Sequence, residues 1–141
     1  MTVYCDTSLY VSPYVKDRHS AAADELLRSA DRVFLTPLHI AEWHHAIAHH
    51  VFRGVMPPTE AGRIASDFEA DRASGLWLEV PIPENAFALC ADLARQYGPK
   101  LGVRTLDSLH VACALELNAD RFWTFDERQA KLAKAKGLKT A

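Results

Sequence analysis

The sequence predicts an α/β protein, a three-layer α/β/α domain around a mainly parallel sheet. Three observations predict it. Short β-type runs are separated almost everywhere by segments of helical periodicity, the pattern of crossover connections. The segment Leu106–Leu117 is apolar nearly all round, as a helix buried on every side would be. Acidic residues follow two of the β-type runs, where an open parallel sheet gathers its functional groups.

The elements follow in order. "TVYCD" is a short strand ending in Asp6. "HSAAADELLRSA" has the apolar spacing of a helix of about three turns. "RVFLT" is a second strand. Thr36-Pro37 then supplies a cap and a first-turn proline and opens a helix that runs to about Phe52. "GVMPP" breaks the chain. "TEAGRIASDFEADRAS" is an amphipathic helix with Ile64 and Phe68 four apart, and "LWLEVP" is a third strand. Pro83 opens the helix "ENAFALCADLARQYG", and "GPKLGV" reads as a loop. The buried helix begins behind a Thr105 cap and holds Asp107 in its first turn. "RFWTF" alternates and is aromatic, a strand that stops at Asp126. "ERQAKLAKAKG" is an exposed last helix, and "LKTA" a final short strand.

A chain of 141 residues suits one domain, 1–141, with a substantial core. Its 49% hydrophobic and 24% charged residues are those of an ordinary soluble globular protein. A net charge of −2 argues against a generally basic nucleic-acid coat, though not against a local basic rim. Cys5, Cys90 and Cys113 are odd in number, widely spaced and set in apolar segments, as reduced, buried thiols of a cytoplasmic protein would be. No apolar span of about 18 residues and no signal-peptide pattern occur, so no membrane association is expected.

Four acids stand apart. Asp6 and Asp126 end strands that would be neighbours if those strands pair. Glu42 lies on the third helix beside the stripe Ile40, Trp43, Ile47 and Val51, and Asp107 lies at a helix N-terminus, whose dipole favours an anion. Meeting in one pocket, they would form an oxygen-only ligand set suited to Mg²⁺ or Mn²⁺ rather than zinc. Two carboxylates about 5 Å apart repel by roughly 3 kcal/mol at an effective dielectric near 20, so at least one pKa should be raised. Each acid also has a plainer reading as a turn residue, a cap or a solvated helix position. "HIAEWHHAIAHH" contains five histidines but no HExxH, and reads as a polar helix face. His110, one turn after Asp107, reads as a core histidine, and Trp43 and Trp123 as core.

The stretches "VYCDTSLYV", "TPLHIAEW", "RTLDSLHVACAL" and "FWTFDERQ" together resemble the four acidic motifs of PIN-domain ribonucleases, most nearly the VapC-like toxins of prokaryotic toxin–antitoxin pairs. The resemblance spans about residues 2–137. It implies Asp6, Glu42, Asp107 and Asp126 as catalytic metal ligands for Mg²⁺ (or Mn²⁺), direct or through water, with Ser8 and Thr124 supporting them by hydrogen bonds. It implies hydrolysis of RNA to a 5′-phosphate and a 3′-hydroxyl, a small cognate antitoxin that inhibits the toxin, and a homodimer. The sequence departs from the family at Gln129, where the fourth motif commonly has an apolar residue three positions after its acid. A rim of cations should meet the RNA; the candidates are Arg104 and Arg128, with Arg18, Lys100 and Arg121. Two other classes remain: a haloacid-dehalogenase-like phosphatase with Asp6 as nucleophile, which would want a second Asp where Ser8 stands, and a non-catalytic RNA- or partner-binding module.

Overall fold

The computed structural model describes residues 1–141. Four strands, β1 (Thr2–Cys5), β2 (Arg32–Leu35), β3 (Leu78–Glu79) and β4 (Arg121–Trp123), form one sheet in the order β3-β2-β1-β4, and every pairing is parallel. β1 is therefore central. The chain moves outward from β1 through β2 to β3, then returns to lay β4 on the other side of β1.

Strand alternation divides the core between two layers. Val3, Cys5, Val33, Leu35 and Trp123 face one side, where they pack with Leu9, Trp43, Ile47, Ile64 and Phe68. Tyr4, Phe34 and Phe122 face the other, against Cys90, Leu93, Leu109, Val111 and Leu132. The helices follow this division. α1 (Ser8–Val11), α3 (Pro37–Phe52) and α4 (Pro58–Ala73) bury residues in the first layer, and Leu26 and Leu27 of α2 (Ser20–Ser29) pack against it. α5 (Ala86–Leu101), α6 (Thr105–Glu116) and α7 (Glu127–Ala135) fill the second. α6 buries every residue from Ser108 to Ala114, as its all-round apolarity predicts.

Several local expectations are corrected. Thr105 is the first helical residue of α6; Arg104 holds the cap position in extended geometry and makes no side-chain cap bond. α5 continues through Gly98-Pro99 to Leu101 and ends at Gly102 in the left-handed conformation. Pro99 is tolerated because it falls in the last turn, where the carbonyl it leaves unpaired belongs to exposed Arg95 and can be hydrated. A short helix, α1, forms directly after Asp6 and Thr7, which the apolar run Leu9–Val11 alone does not announce. β4 ends at Trp123 rather than at Phe125, and "LKTA" contributes one bridge, Arg121 to Lys139. α7 is not simply exposed: Gln129, Leu132 and Ala133 are buried. Nor is α3's histidine run one polar face. His39 is fully buried, and its ring accepts from the Thr36 N–H while its backbone N–H donates to the Thr36 hydroxyl, closing a capping box in which histidine stands in for glutamate.

Candidate active site

β1 and β4 are adjacent and run the same way, with Cys5 opposite Trp123, and the Asp6 N–H donates to the Trp123 carbonyl at 2.9 Å. Beyond these strand ends the chain departs to opposite faces, into α1 after β1 and into α7 after β4. A parallel sheet opens a crevice where its connections diverge in this way.

Asp6, Glu42 and Asp107 line one cavity of about 330 Å³ in that crevice, with Thr7, Ser8, Ser12, Asp17, His19 and Arg104 around them. Asp107 and Arg104 also border a neighbouring cavity of about 380 Å³, whose other walls are Gly102, Asp126, Glu127 and Arg128. The four acids thus occupy two adjoining depressions joined at Asp107, not one pocket. The His19 ring stacks on Phe125 at 4.2 Å on one side of the first.

Each acid has its own support. Asp6 accepts at Oδ2 from the Ser8 hydroxyl at 2.9 Å and at Oδ1 from the Gln129 amide at 3.3 Å. Glu42 accepts at Oε1 from the Thr7 hydroxyl at 2.8 Å and from His110 Nε2 at 2.5 Å. The histidine tautomer follows from its other partner. Burial holds the Tyr4 phenol protonated, so it donates to His110 Nδ1 at 2.8 Å and leaves the proton of Nε2 to face Glu42. Burial alone would raise the Glu42 pKa, but the hydrogen bond and electrostatic attraction of the His110 N–H and the Thr7 hydroxyl outweigh it and hold the carboxyl below its usual range. Glu42 is therefore displaced opposite to the rise expected from clustered acids.

Asp107 lies in the first turn of α6, where the helix dipole favours its charge, and Arg104 Nε lies 3.3 Å from its Oδ2. Asp126 caps α7: its Oδ1 accepts from the Gln129 N–H at 2.8 Å, which leaves Oδ2 without a protein partner. Thr124 supports both, accepting from the Asp126 N–H at 3.0 Å and donating to the Gln129 side chain at 2.6 Å.

The donor set is oxygen only, as a hard cation requires. No three carboxylate, histidine or cysteine side chains lie close enough to cage an ion by themselves. A set of oxygen donors suits a magnesium-sized ion, which keeps several waters and takes one or two carboxylates directly. It does not fit a closed structural zinc site.

Among the proposed cations, Arg104 and Arg128 border the second cavity. Arg121 is corrected: it starts β4, opposite Val3, at the end of the sheet away from the acids. Lys100 is exposed on the last turn of α5, and Arg18 donates to His19 rather than lining the cavity itself. Sequence reasoning missed Thr7 and Gln129 as contacts of the acids, although Thr7 adjoins Asp6 and Gln129 lies three residues after Asp126. Trp43 and Trp123 are buried, as expected of core residues.

The PIN domain family model matches residues 3–135. Among solved structures, the fold is similar to that of FitAcB from Neisseria gonorrhoeae, with a TM-score of 0.71 and 17% identity over 98% of this chain and 95% of that one. VapC20 of Mycobacterium tuberculosis, described as a sarcin-ricin loop cleaving toxin, gives a TM-score of 0.71 and 14% identity over 96% and 95%. VapBC2 from Rickettsia felis, bound to a DNA fragment from its promoter, gives 0.69 and 15% over 100% and 98%. Among curated proteins none matches. The family match covers nearly the whole chain, and the α/β fold with its all-parallel sheet agrees with it: the chain belongs to the PIN domain family.

Proposed function

We propose that this protein is a Mg²⁺- or Mn²⁺-dependent endoribonuclease, the toxin of a type II toxin–antitoxin pair, acting in the cytoplasm as one domain, 1–141. The observation that carries this reading is the gathering of Asp6, Glu42 and Asp107 from three distant segments around one cavity, with Asp126 next to it. VapC20, similar in fold, is described as a sarcin-ricin loop cleaving toxin, which supports a nuclease toxin reading.

Asp6, Glu42, Asp107 and Asp126 would hold the cation between them, one or two directly and the others through water. Bound there, it would lower the pKa of a water and offset charge on a bridging phosphate. The chain's own groups do the rest. Ser8 and Gln129 fix both oxygens of the Asp6 carboxylate, and Thr7 and His110 keep Glu42 ionised and oriented. Asp107, half-buried at a helix N-terminus, would orient the attacking water. Arg104 and Arg128 would meet phosphates flanking the scissile bond and draw a polyanion to an acidic crevice. Hydrolysis would leave a 5′-phosphate and a 3′-hydroxyl.

The phosphatase alternative is disfavoured by Ser8, which donates to Asp6 from the position where a second acid would stand. A small cognate antitoxin and a homodimer are part of the proposal and rest on the resemblance to VapC-like toxins. The test is incubation of a mixed RNA pool with Mg²⁺ or Mn²⁺, with EDTA and Asp126→Asn as controls. Cleavage by the wild type alone, abolished by EDTA, supports the reading. RNA left intact at every metal concentration points to a binding module, and turnover of small phosphate esters with RNA intact points to a phosphatase.

A further inference from the structure

Gln129 is the one glutamine with no exposed surface, and its contacts converge on the candidate site. Its amide nitrogen donates to Asp6 Oδ1 at 3.3 Å and to the main-chain carbonyl of Asp107 at 3.2 Å. Its amide oxygen accepts from the Thr124 hydroxyl at 2.6 Å, and its backbone N–H donates to Asp126 Oδ1 at 2.8 Å. One residue thus touches three of the four acidic segments, at the ends of β1 and β4 and the start of α6.

The amide can take only one orientation. Thr124 Oγ1 accepts the Asp126 N–H, so its own proton is free for the Gln129 oxygen. The other end of the amide meets a carboxylate and a carbonyl, which only accept. A flipped amide would set its oxygen against both and leave its nitrogen facing a hydroxyl that has lost its partner, a costly arrangement in the interior. With Ser8 on Oδ2 and Gln129 on Oδ1, the Asp6 carboxylate plane is fixed from both sides.

We propose that Gln129 is a positioning residue for metal binding. It fixes the Asp6 carboxylate and clamps the β1, β4 and α6 ends together, so that the acids face the crevice at a set spacing. This rests on the reading of those acids as cation ligands. Groups that orient a metal ligand from behind typically change affinity by about 10–100-fold when removed. A side chain kept only to fill space would not do so.

The experiment is Mn²⁺ binding by isothermal titration calorimetry to the wild type, Gln129→Met and Thr124→Val, with unfolding of each followed in EDTA. Methionine keeps the volume and removes both donors. Valine keeps the shape of Thr124 and removes the hydroxyl that orients the amide. Gln129→Met should bind Mn²⁺ about 10–100-fold more weakly while folded, and Thr124→Val about 10-fold more weakly. In RNA cleavage, kcat should fall while KM stays near the wild-type value. If Gln129→Met binds Mn²⁺ like the wild type, the proposal is overturned. If it fails to fold, an unchanged affinity in Thr124→Val overturns it equally. A wild type that binds no Mn²⁺ removes the functional reading itself, and this proposal with it.

Discussion

His110 Nε2 lies 2.5 Å from Glu42 Oε1, and the same ring accepts at Nδ1 from the Tyr4 hydroxyl at 2.8 Å. A buried phenol on the central strand is thereby linked through α6 to a candidate ligand on α3. Replacing His110 by Leu removes both bonds. It strands a buried hydroxyl and leaves Glu42, half-buried, with only Thr7. His110→Leu should lower the free energy of unfolding by about 2 kcal/mol or more, read by urea denaturation. A loss within experimental error would mean that the chain Tyr4–His110–Glu42 carries no stability.

The same pair sets an acid limit. The Glu42 pKa is held below its usual range, so its contribution is present above the unfolded value and is lost as pH falls through the folded one. Glu42→Gln should therefore show a shallower loss of stability below about pH 4.5 than the wild type does. An identical acid slope would remove Glu42 from the acid transition.

His39 acts at a higher pH. Burial first, and the neighbouring His110 second, hold its pKa well below 6.5, and it is neutral in the fold. The unfolded chain binds a proton there below about pH 6.5 and the folded chain does not, so stability falls as pH drops from that point. The measurement is the unfolding midpoint between pH 8 and pH 5, which should decline on the acid side. His39→Gln should be less stable at neutral pH, because the Cys5 carbonyl and the Thr36 cap lose a fitted partner, yet show a flatter decline. A wild type equally stable across that range would contradict the assignment.

Arg104 is exposed and borders both cavities, and Arg128 borders the second. If they meet phosphate, Arg104→Ala and Arg128→Ala should each weaken RNA binding and reduce the salt slope of log Kd by about 1. An unchanged salt slope in both would make them plain surface charge.

The strands were legible because alternation sorts their residues. Val3 and Cys5 fall to one layer and Tyr4 to the other, and Phe122 and Trp123 divide likewise. Thr36-Pro37 marked the start of α3 because its cap chemistry is local. What escaped was polar chemistry in the interior. His39 and Gln129 read as surface residues, because nothing in a one-dimensional pattern shows that a distant Cys5 carbonyl or Asp6 carboxylate will satisfy them. Pro99 reads as a breaker, and only its place in the last turn of α5 makes it harmless. The four acids were legible as candidates through their motifs. Their division between two adjoining cavities was not, because it depends on how the ends of β1 and β4 and the start of α6 meet in three dimensions.

The central claim is that Asp6, Glu42, Asp107 and Asp126 act together on RNA. The most direct test is the cleavage rate of one defined RNA, at saturating Mn²⁺, by the wild type and by Asp6→Asn, Glu42→Gln, Asp107→Asn and Asp126→Asn. Each amide should cut on the order of 10²-fold more slowly or worse while still binding the RNA. An Asp107→Asn protein that cleaves at the wild-type rate would contradict the account, because Asp107 is the acid that both cavities share.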